Sequence, residues 1–137
     1  MRQKEVNYKG LIFYSHESIN TLELIIDDFN FSNSEVCISS LSIALEYILN
    51  SKVEYLIFNK LYCEFEIDSK LRKFIKGLIY YQLKSHGIKK VLFLVTPIAM
   101  IEGYANINTK EPYMVAFTEM SDIENWILNQ IKVTIVR

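Results

Sequence analysis

The sequence has few residues that crosslink or interrupt a chain. Its 137 residues include only two Cys, four Gly and two Pro. The two thiols, Cys37 and Cys63, form no CxxC pair and are predicted to stay reduced. Because Gly and Pro are scarce and no repeat or low-complexity tract occurs, residues 1–137 are predicted to form a single globular domain.

Several other absences reduce the number of function classes that the sequence supports. The formal net charge is -1, which gives no overall electrostatic case for binding nucleic acid. No apolar run approaches the roughly 20 residues that span a bilayer, and the first residues lack the apolar core of a signal peptide, so we expect a cytoplasmic protein. Glycine-rich phosphate motifs and metal-ligand spacings are also missing, so no cofactor and no enzymatic activity are predicted.

What the sequence does contain is a strand–helix–strand unit in its middle. Residues 53–58 and 91–96 are short, nearly continuous apolar runs. Between them, residues 68–85 repeat apolar side chains at helical spacing, and Gly87 ends the pattern. Two apolar runs joined by one helix predict parallel strands with a crossover connection. Gly77 is unusual inside this helix, where it either admits a neighbouring backbone or touches nothing.

The N-terminal segments add a hairpin and a helix to this unit. Residues 10–15 and 22–26 have strand patterns separated by a short polar turn, which favours antiparallel pairing. A helix is predicted to follow from Asn33 or Ser34 to about residue 50, since either side chain can cap its first turn.

The C-terminal segments are harder to interpret. Residues 98–112 are predicted to form one short helical turn and then an exposed loop, and residues 113–117 an edge strand. Ser121 and Glu124 form a capping box that opens a last helix. Residues 133–136 have strand composition, which would add to a sheet edge in the same chain or in a partner.

Together these elements predict an α/β fold with the order β-β-α-β-α-β-β-α. Crossovers that step the same way along a sheet place their helices on one face. Yet the middle strands are apolar on both faces. The second face therefore needs a cover, which the segment near Ile98, a chain end or a second subunit would supply. The last of these choices predicts a homodimer.

Three stretches carry a resemblance to a known family. They are residues 31–35 at the start of the first helix, residues 87–95 at the passage from helix to strand, and residues 117–127 with their acidic turn and Trp126. Over about residues 8–130 the order of elements resembles the STAS-like domains, the anti-sigma-factor-antagonist fold, and in particular small bacterial proteins without an assigned activity. The resemblance implies a central mixed sheet of about five strands and a non-catalytic protein-interaction or regulatory module.

The resemblance also implies one candidate phosphosite. Antagonist-type STAS domains carry a phosphorylatable Ser where a strand passes into the central helix, in an Asp-Ser-Ser/Thr-Gly pattern. Asp68 and Ser69 match the first two positions, whereas Lys70 and Leu71 depart from the rest. Ser69 is therefore the candidate regulatory site. The alternative is that Asp68 caps the helix and Ser69 only occupies its first turn.

Cations and tyrosines of the central helix form the candidate interaction surface. The residues singled out are Lys73, Lys76, Tyr80 and Tyr81, because Tyr is favoured at protein interfaces and the lysines would contact an anion or an acidic partner. The other interpretation is a solvated face on which the upstream acids neutralise these cations. Those acids are Glu64, Glu66 and Asp68.

The remaining titratable residues do not predict a catalytic or metal site. His16 and His86 fall in predicted turns, and the adjacent Asp27 and Asp28 would point to opposite faces of a strand. Residues 15–17 offer the residue types of a catalytic triad, but neighbours in a turn cannot reach triad geometry.

An alternative function is a carrier of small apolar ligands or lipids, because some relatives of the resembled fold bind such ligands. An apolar pocket near Met100, Ile101 and Tyr104 would favour that alternative. A dimer that covers the apolar face of the sheet would favour the interaction module.

Overall fold

The computed structural model describes residues 3–63, 69–104 and 113–136, without the side chains of residues 79, 80, 103, 104 and 133–136. These residues form a six-stranded sheet with four helices. The strands are β1 Lys4–Tyr8, β2 Leu11–His16, β3 Thr21–Asp27, β4 Tyr55–Tyr62, β5 Lys90–Leu94 and β6 Met114–Phe117. The helices are α1 Ser34–Ser51, α2 Ser69–Gly77, α3 Pro97–Ala99 and α4 Met120–Val136.

The strands lie side by side in the order in which they occur in the sequence. β1, β2 and β3 form an antiparallel meander, whereas β3 to β6 are parallel. The predicted α/β class, mixed sheet and hairpin are therefore confirmed. The sheet has six strands rather than about five, because β1 pairs with β2 through a tight turn in which Lys9 and Gly10 both have positive φ.

Helices α1 and α2 pack on the same face of the sheet, as crossovers that step in one direction require. α1 begins where the Asn33 side chain accepts a hydrogen bond from the Val36 N–H at 3.0 Å, which confirms the predicted cap. Burial of large apolar side chains on this face contributes roughly 1.5–3 kcal/mol each. The buried residues of this face include Phe13, Leu24, Leu41, Ile48, Phe58, Leu71 and Phe93.

The central helix changes geometry along its length. The helix predicted over residues 68–85 is α-helical over Ser69–Gly77, then forms a π-helical turn over Leu78–Leu83 and a 3₁₀ turn over Lys84–His86. Gly87 ends it with a φ of 97°, as expected for a C-terminal glycine. A Cβ on Gly77 would meet no heavy atom within 4 Å, so this glycine does not admit a close neighbour.

The second face of the sheet is covered over β4 to β6 by α4 of the same chain. Ile123 and Ile127 of this helix are completely buried, and they pack with Ile57, Leu92 and Val115 of the sheet. Of the three covers considered, a chain end is therefore the one that the structure shows.

Two expectations about the C-terminal region are wrong. Residues 133–136 do not form a strand, because they continue the helix that begins at Met120, and this context overrides their β-type composition. Ser121 is not the cap of that helix but lies inside its first turn. The predicted edge strand at residues 113–117 is confirmed as β6, the last strand of the sheet.

The segment after β5 begins with the predicted short helical turn. The Thr96 hydroxyl accepts a hydrogen bond from the Ala99 N–H at 3.2 Å, Pro97 opens α3, and a π-helical turn follows over Met100–Tyr104. The exposed loop was predicted over residues 104–111. Tyr104 instead ends this turn, and residues 105–111 lie outside the described residues. In the described parts of the chain, none of the helices combines the length and apolar character that crossing a bilayer requires.

Candidate interaction surface

The outer side of α2 and the turns that follow it carry a dense group of cations. Residues 69–90 contain seven Lys or Arg residues and no Asp or Glu. Leu71, Leu78 and Leu83 are buried, which leaves the cations between them on the exposed side. We define the basic face as the exposed residues Lys70, Arg72, Lys73, Lys76 and Lys84.

The cations of the basic face have few opposite charges nearby. The Lys70 ammonium lies 3.9 Å from the Glu35 carboxylate, and both side chains are exposed. Arg72, Lys73 and Lys76 form no ion pair with any described residue. The interpretation in which upstream acids neutralise them concerns residues outside the described ranges, namely Glu64, Glu66 and Asp68.

Helix geometry makes this arrangement unfavourable for the chain by itself. A cation in the first turns of a helix opposes the helix dipole and costs typically about 0.3–1 kcal/mol. Like charges three or four residues apart, such as Lys73 with Lys76 and Arg72 with Lys76, repel by roughly 0.2–0.5 kcal/mol per pair. The described residues do not offset this cost, which favours a role for these cations in contact with an anionic partner.

The basic face ends at an open depression beside the start of β5. The depression has a volume of about 520 Å³. Lys84 belongs both to the basic face and to the wall of this depression, so the two features are continuous. We define the lysine depression by its lining residues, which are Lys84, Gly87, Ile88, Lys89, Lys90 and Tyr113.

Tyr113 gives the lysine depression a fixed aromatic wall. Its hydroxyl donates a hydrogen bond to the Ile88 carbonyl oxygen at 2.5 Å. Burial raises the pKa of the Tyr113 phenol, so the ring stays neutral. The Lys84 Nζ lies 5.5 Å from the centroid of this ring, within the range of a cation–π contact. The ring therefore positions the Lys84 ammonium at the depression.

One lysine of the depression has an acidic partner. The Lys89 Nζ lies 2.6 Å from the Glu54 carboxylate. This hydrogen bond lowers the pKa of Glu54 and raises the pKa of Lys89. Because both side chains are partly exposed, the pair contributes little to stability. Its main consequence is that the charge of Lys89 is balanced by a residue of the same chain.

No family model matches this chain, and no curated protein or solved structure matches it either. The charge and geometry of the surface are therefore the evidence for function. Within the described residues, no three His, Cys, Asp or Glu side chains are grouped in a way that could hold a metal ion.

Most of the predicted interaction residues lie on the continuous helical segment formed by α2 and the π-helical and 3₁₀ turns that follow it. We call this segment, Ser69–His86, the rod. Lys73 and Lys76 are exposed on α2. Tyr81 is 78% exposed and lies in the π-helical turn. The backbone of Tyr80 belongs to the same turn, while its side chain is outside the description. π-Helical turns are rare and recur at functional sites, so their coincidence with an exposed Tyr supports an interaction surface here.

Ser69, the candidate phosphosite, is the first residue of α2 and is exposed. Arg72 and Lys73 follow it by three and four residues, so all three side chains share one side of the first helical turns. A phosphate on Ser69 would therefore meet the helix N-terminus and two cations. Modification of Ser69 stays a prediction.

A second polar cluster, which sequence reasoning missed, is buried in the sheet. His16 and Glu23 are only 2% and 3% exposed. The His16 Nε2 lies 2.7 Å from Glu23 Oε1, and the Asn59 Nδ2 donates a hydrogen bond to Glu23 Oε2 at 2.8 Å. The Asn59 Oδ1 in turn accepts a hydrogen bond from the Leu61 N–H at 3.1 Å. We call His16, Glu23 and Asn59 the buried network.

The prediction that His16 lies in a turn is wrong. His16 is the last residue of β2, and its partner is Glu23 of β3 rather than its neighbour Glu17. The available signal was an acid standing alone among the apolar residues of a predicted strand. The prediction for His86 is confirmed, since it is exposed in the 3₁₀ turn.

Several exposed apolar side chains end or follow the parallel strands of the sheet. Met100 packs against the core of the first face, whereas Ile101 is exposed. The Tyr104 side chain lies outside the description. Because β3, β4 and β5 are parallel, their carboxyl ends meet at one edge. We call the exposed side chains that follow or end these strands the apolar edge: Phe29, Tyr62, Ile98 and Ile101.

Proposed function

We propose that this chain is a non-catalytic, STAS-like interaction module that binds an acidic surface of a partner protein through its basic face. One observation carries the proposal. Arg72, Lys73 and Lys76 are exposed on one helix, and they form no ion pair with the described residues. A partner carboxylate would relieve the repulsion between these cations and would be attracted by the helix dipole.

The charge of the rest of the surface supports a protein rather than a long polyanion as the partner. Apart from the buried Glu23, residues 3–63 contain seven Asp or Glu residues, all at least partly exposed, and four Lys or Arg residues. A nucleic acid or an anionic membrane that extended beyond the basic face would meet this acidic region and be repelled. A compact acidic patch on a protein would contact the cations alone.

The STAS-like assignment is part of the proposal. It is supported by the α/β class, by the mixed sheet and by the helix-to-strand passage at residues 87–95, where Gly87 ends the central helix three residues before β5 begins. Phosphorylation of Ser69 would add a charge of about −1.5 to −2 beside Arg72 and Lys73. The modification would therefore weaken binding of an acidic partner.

Self-association stays a prediction, but neither the second face of the sheet nor residues 133–136 now support it. α4 covers the second face over β4 to β6, and residues 133–136 belong to that helix. The remaining reason is that the basic face of one copy complements the acidic residues within 3–63 of another. Light scattering checks this directly, since a mass near twice 16.1 kDa supports the dimer and a mass of 16.1 kDa contradicts it.

A carrier of apolar ligands is the second candidate, and the apolar edge is the observation that favours it. Phe29 is 88% exposed and Ile101 is 79% exposed, although both are large apolar side chains. Exposed apolar patches mark ligand or partner sites, and the parallel strands place these residues at the same edge of the sheet. Mass spectrometry of lipid extracted from the purified protein tests this candidate, and a protein free of lipid would count against it.

The basic face is tested by charge reversal. We expect a short, fluorescein-labelled Glu-rich peptide to bind the chain at low salt and to dissociate at high salt. The double substitution Lys73→Glu, Lys76→Glu should weaken this binding by at least about 10-fold. Fluorescence anisotropy provides the measurement.

A matched control separates the basic face from net charge. Lys4 and Lys132 are exposed on β1 and α4, so Lys4→Glu, Lys132→Glu changes the net charge equally but elsewhere. Equal weakening by both double variants would contradict a localised site. Tighter binding of a DNA duplex or of phosphatidylserine vesicles than of the peptide would contradict the choice of a protein partner.

A further inference from the structure

Strand β1 is an outer strand of the sheet and has one free edge. In the strand order β1 lies beside β2, and no other strand of the described residues lies on its outer side. Its five residues pair with β2 without a bulge, and none of them is proline. Bulges, prolines and charged side chains are the devices by which proteins keep a sheet edge from pairing with another chain. The backbone of β1 is therefore open to a further strand, and its charges decide which strand fits.

The hairpin turn determines which backbone groups of β1 face outward. Lys9 and Gly10 both have positive φ, as in a two-residue turn of type I′. In such a hairpin the residue before the turn, Tyr8, exchanges both backbone hydrogen bonds with its partner on β2. Because this bonding alternates along an antiparallel pair, the N–H and C=O groups of Glu5 and Asn7 point away from β2. These are the groups that a further strand would bind.

We infer that β1 pairs antiparallel with β1 of a second copy, around a two-fold axis at Val6. In this register all of β1 is paired, and Glu5 of each copy lies opposite Asn7 of the other and exchanges both backbone hydrogen bonds with it. An axis at Glu5 would place two carboxylates opposite each other, which is unfavourable. An axis at Asn7 would pair Glu5 with the turn residue Lys9, beyond the end of the strand. The two six-stranded sheets then form one continuous sheet.

The side chains on the first face complement each other in this register. Val6 already packs against the buried core, and it would meet Val6 of the second copy. Lys4 is exposed, forms no ion pair with any described residue and would lie opposite Tyr8. The Tyr8 hydroxyl donates a hydrogen bond to Glu46 Oε2 at 2.9 Å, so the pairing brings Lys4 toward a carboxylate of the second copy. These charges are exposed, so they favour the register more than they strengthen the dimer.

The side chains on the second face add an amide and a carboxylate. The Asn7 Oδ1 accepts a hydrogen bond from the Gly10 N–H at 3.1 Å, so Nδ2 is the atom of this amide that can donate to a second copy. The Tyr14 hydroxyl donates to Glu5 Oε1 at 3.1 Å, which leaves Glu5 Oε2 as an acceptor. Asn7 of one copy can therefore donate to Glu5 of the other. No like charges lie opposite each other, and a net charge of -1 opposes association only weakly.

This dimer goes beyond the proposed function because it does not use the basic face. The first experiment is light scattering at rising protein concentrations in about 1 M sodium chloride, where charges are screened beyond roughly 3 Å. We expect the mass to rise toward twice 16.1 kDa, since backbone hydrogen bonds and the Val6 contact persist in salt. A dimer held by the basic face would dissociate under these conditions. A mass of 16.1 kDa throughout would overturn the inference and would leave the edge to a strand of a different protein.

A proline substitution tests whether the backbone of β1 forms the contact. Glu5→Pro removes an outward N–H and keeps the hydrogen bonds to β2, as prolines in edge strands do. We expect it to weaken the dimer by at least about 100-fold. Glu5→Ala is the matched control, because it removes the same carboxylate but keeps the N–H, and it should weaken the dimer by no more than about 10-fold. Circular dichroism checks that both variants are folded. Equal weakening by the two would overturn pairing through the backbone.

A cysteine substitution tests the register and does not depend on the proline variant. The two Val6 residues would form a pair that is not hydrogen-bonded, with Cα atoms about 4.5 Å apart, which a disulfide can span. In a Cys63→Ala background, Val6→Cys should therefore form a covalent dimer on mild oxidation, seen on a non-reducing gel. Lys4→Cys is the control, since its two copies would lie about 14 Å apart. Faster crosslinking of Lys4→Cys, or equally slow crosslinking of both, would overturn the inference.

The outcomes separate this inference from the proposed function. β4, which leads into α2, is the third strand beyond β1, so the basic face lies away from the paired edge. Glu5→Pro should therefore bind the Glu-rich peptide as tightly as the native chain does. A monomeric native chain that binds the peptide overturns only the dimer. A salt-resistant dimer that fails to bind the peptide overturns only the proposed function.

Discussion

The buried network and the basic face satisfy their charges in different ways. In the buried network, both Glu23 carboxylate oxygens receive a hydrogen bond, one from His16 and one from Asn59. On the basic face, Arg72, Lys73 and Lys76 stand without an ion pair to any described residue. A buried charge without partners costs several kcal/mol, whereas an exposed one costs a few tenths because water solvates it. The buried Glu23 carboxylate therefore has its partners inside the chain, whereas the exposed cations are available to another molecule.

The largest expected effect is a loss of stability when the buried network is disrupted. Glu23→Ala leaves His16 Nε2 and Asn59 Nδ2 without their acceptor in a dry site. We expect a loss of about 2–5 kcal/mol in the free energy of unfolding. Urea denaturation measures it. The exposed acid Glu17 provides the control, since Glu17→Ala should change stability by less than about 0.5 kcal/mol. A similar loss in both variants would mean that the network is not a special source of stability.

The next effect concerns the turn at the end of the rod. Gly87 has a φ of 97°, which side chains with a Cβ rarely adopt. Gly87→Ala should therefore destabilise the fold by about 1 kcal/mol in urea denaturation. Because the substitution leaves all charges unchanged, binding of the Glu-rich peptide to the folded variant should be retained. Loss of peptide binding without loss of stability would show that the turn, and not charge alone, defines the basic face.

Gly77 lies on the same rod as Gly87, but its replacement by alanine should have the opposite effect on stability. It lies at the end of α2 with open space around its Cα. Gly77→Ala should stabilise the chain by up to about 1 kcal/mol, since alanine has the higher helix propensity. A loss of stability instead would indicate that the change from α to π geometry after this residue requires glycine.

Reversing one cation of the basic face should raise stability, whereas removing Glu23 from the buried network should lower it. Lys73→Glu replaces a cation in the first half of the rod, relieves its repulsion with Lys76 and favours the dipole. We expect a gain of about 0.3–1 kcal/mol by urea denaturation at low salt. Lys132→Glu in the later turns of α4 is the control and should give no gain. A loss of stability in Lys73→Glu would show that Lys73 has a stabilising contact in the free protein.

The smallest effect is the pH dependence of the Glu54–Lys89 pair. The pKa of Glu54 in the folded chain is lowered below 4.5, chiefly by its hydrogen bond with Lys89. Its contribution is therefore complete above pH 4.5 and is lost as the pH falls through the lowered pKa. Because the pair is partly exposed, the change should be only a few tenths of a kcal/mol. The stability difference between the native chain and Glu54→Gln should shrink at acid pH, and an increase would contradict this assignment.

Much of the fold was predictable because local patterns and tertiary structure agree. Asn33 caps α1 and Gly87 ends the central helix, both as the sequence indicates. The predicted strand at residues 53–58 stops too early, since β4 runs on to Tyr62. Asn59 is tolerated in this strand only because Glu23, far away in sequence, accepts its hydrogen bond. No local pattern contains that information.

The candidate site was predictable in part for the same reason. Lys73, Lys76 and Tyr81 were recognisable from one helix, and the structure places them on its exposed side. The lysine depression was not recognisable, because it joins Lys84 and Lys90 to Tyr113 through the pairing of β5 with β6. The absence of acids from residues 69–90 was an available signal, since seven cations in a stretch of sequence that contains no acid are unusual for a chain whose net charge is -1.

The position of α4 in the chain also has a consequence for how the protein is made. Synthesis proceeds from the N-terminus, so β4, β5 and β6 leave the ribosome before Ile123 and Ile127. Until those residues emerge, Ile57, Leu92 and Val115 have no helix to pack against. Uncovered apolar strands in a nascent chain aggregate readily and are bound by chaperones. We therefore expect these apolar strands to stay exposed during synthesis until α4 has formed and packed on them.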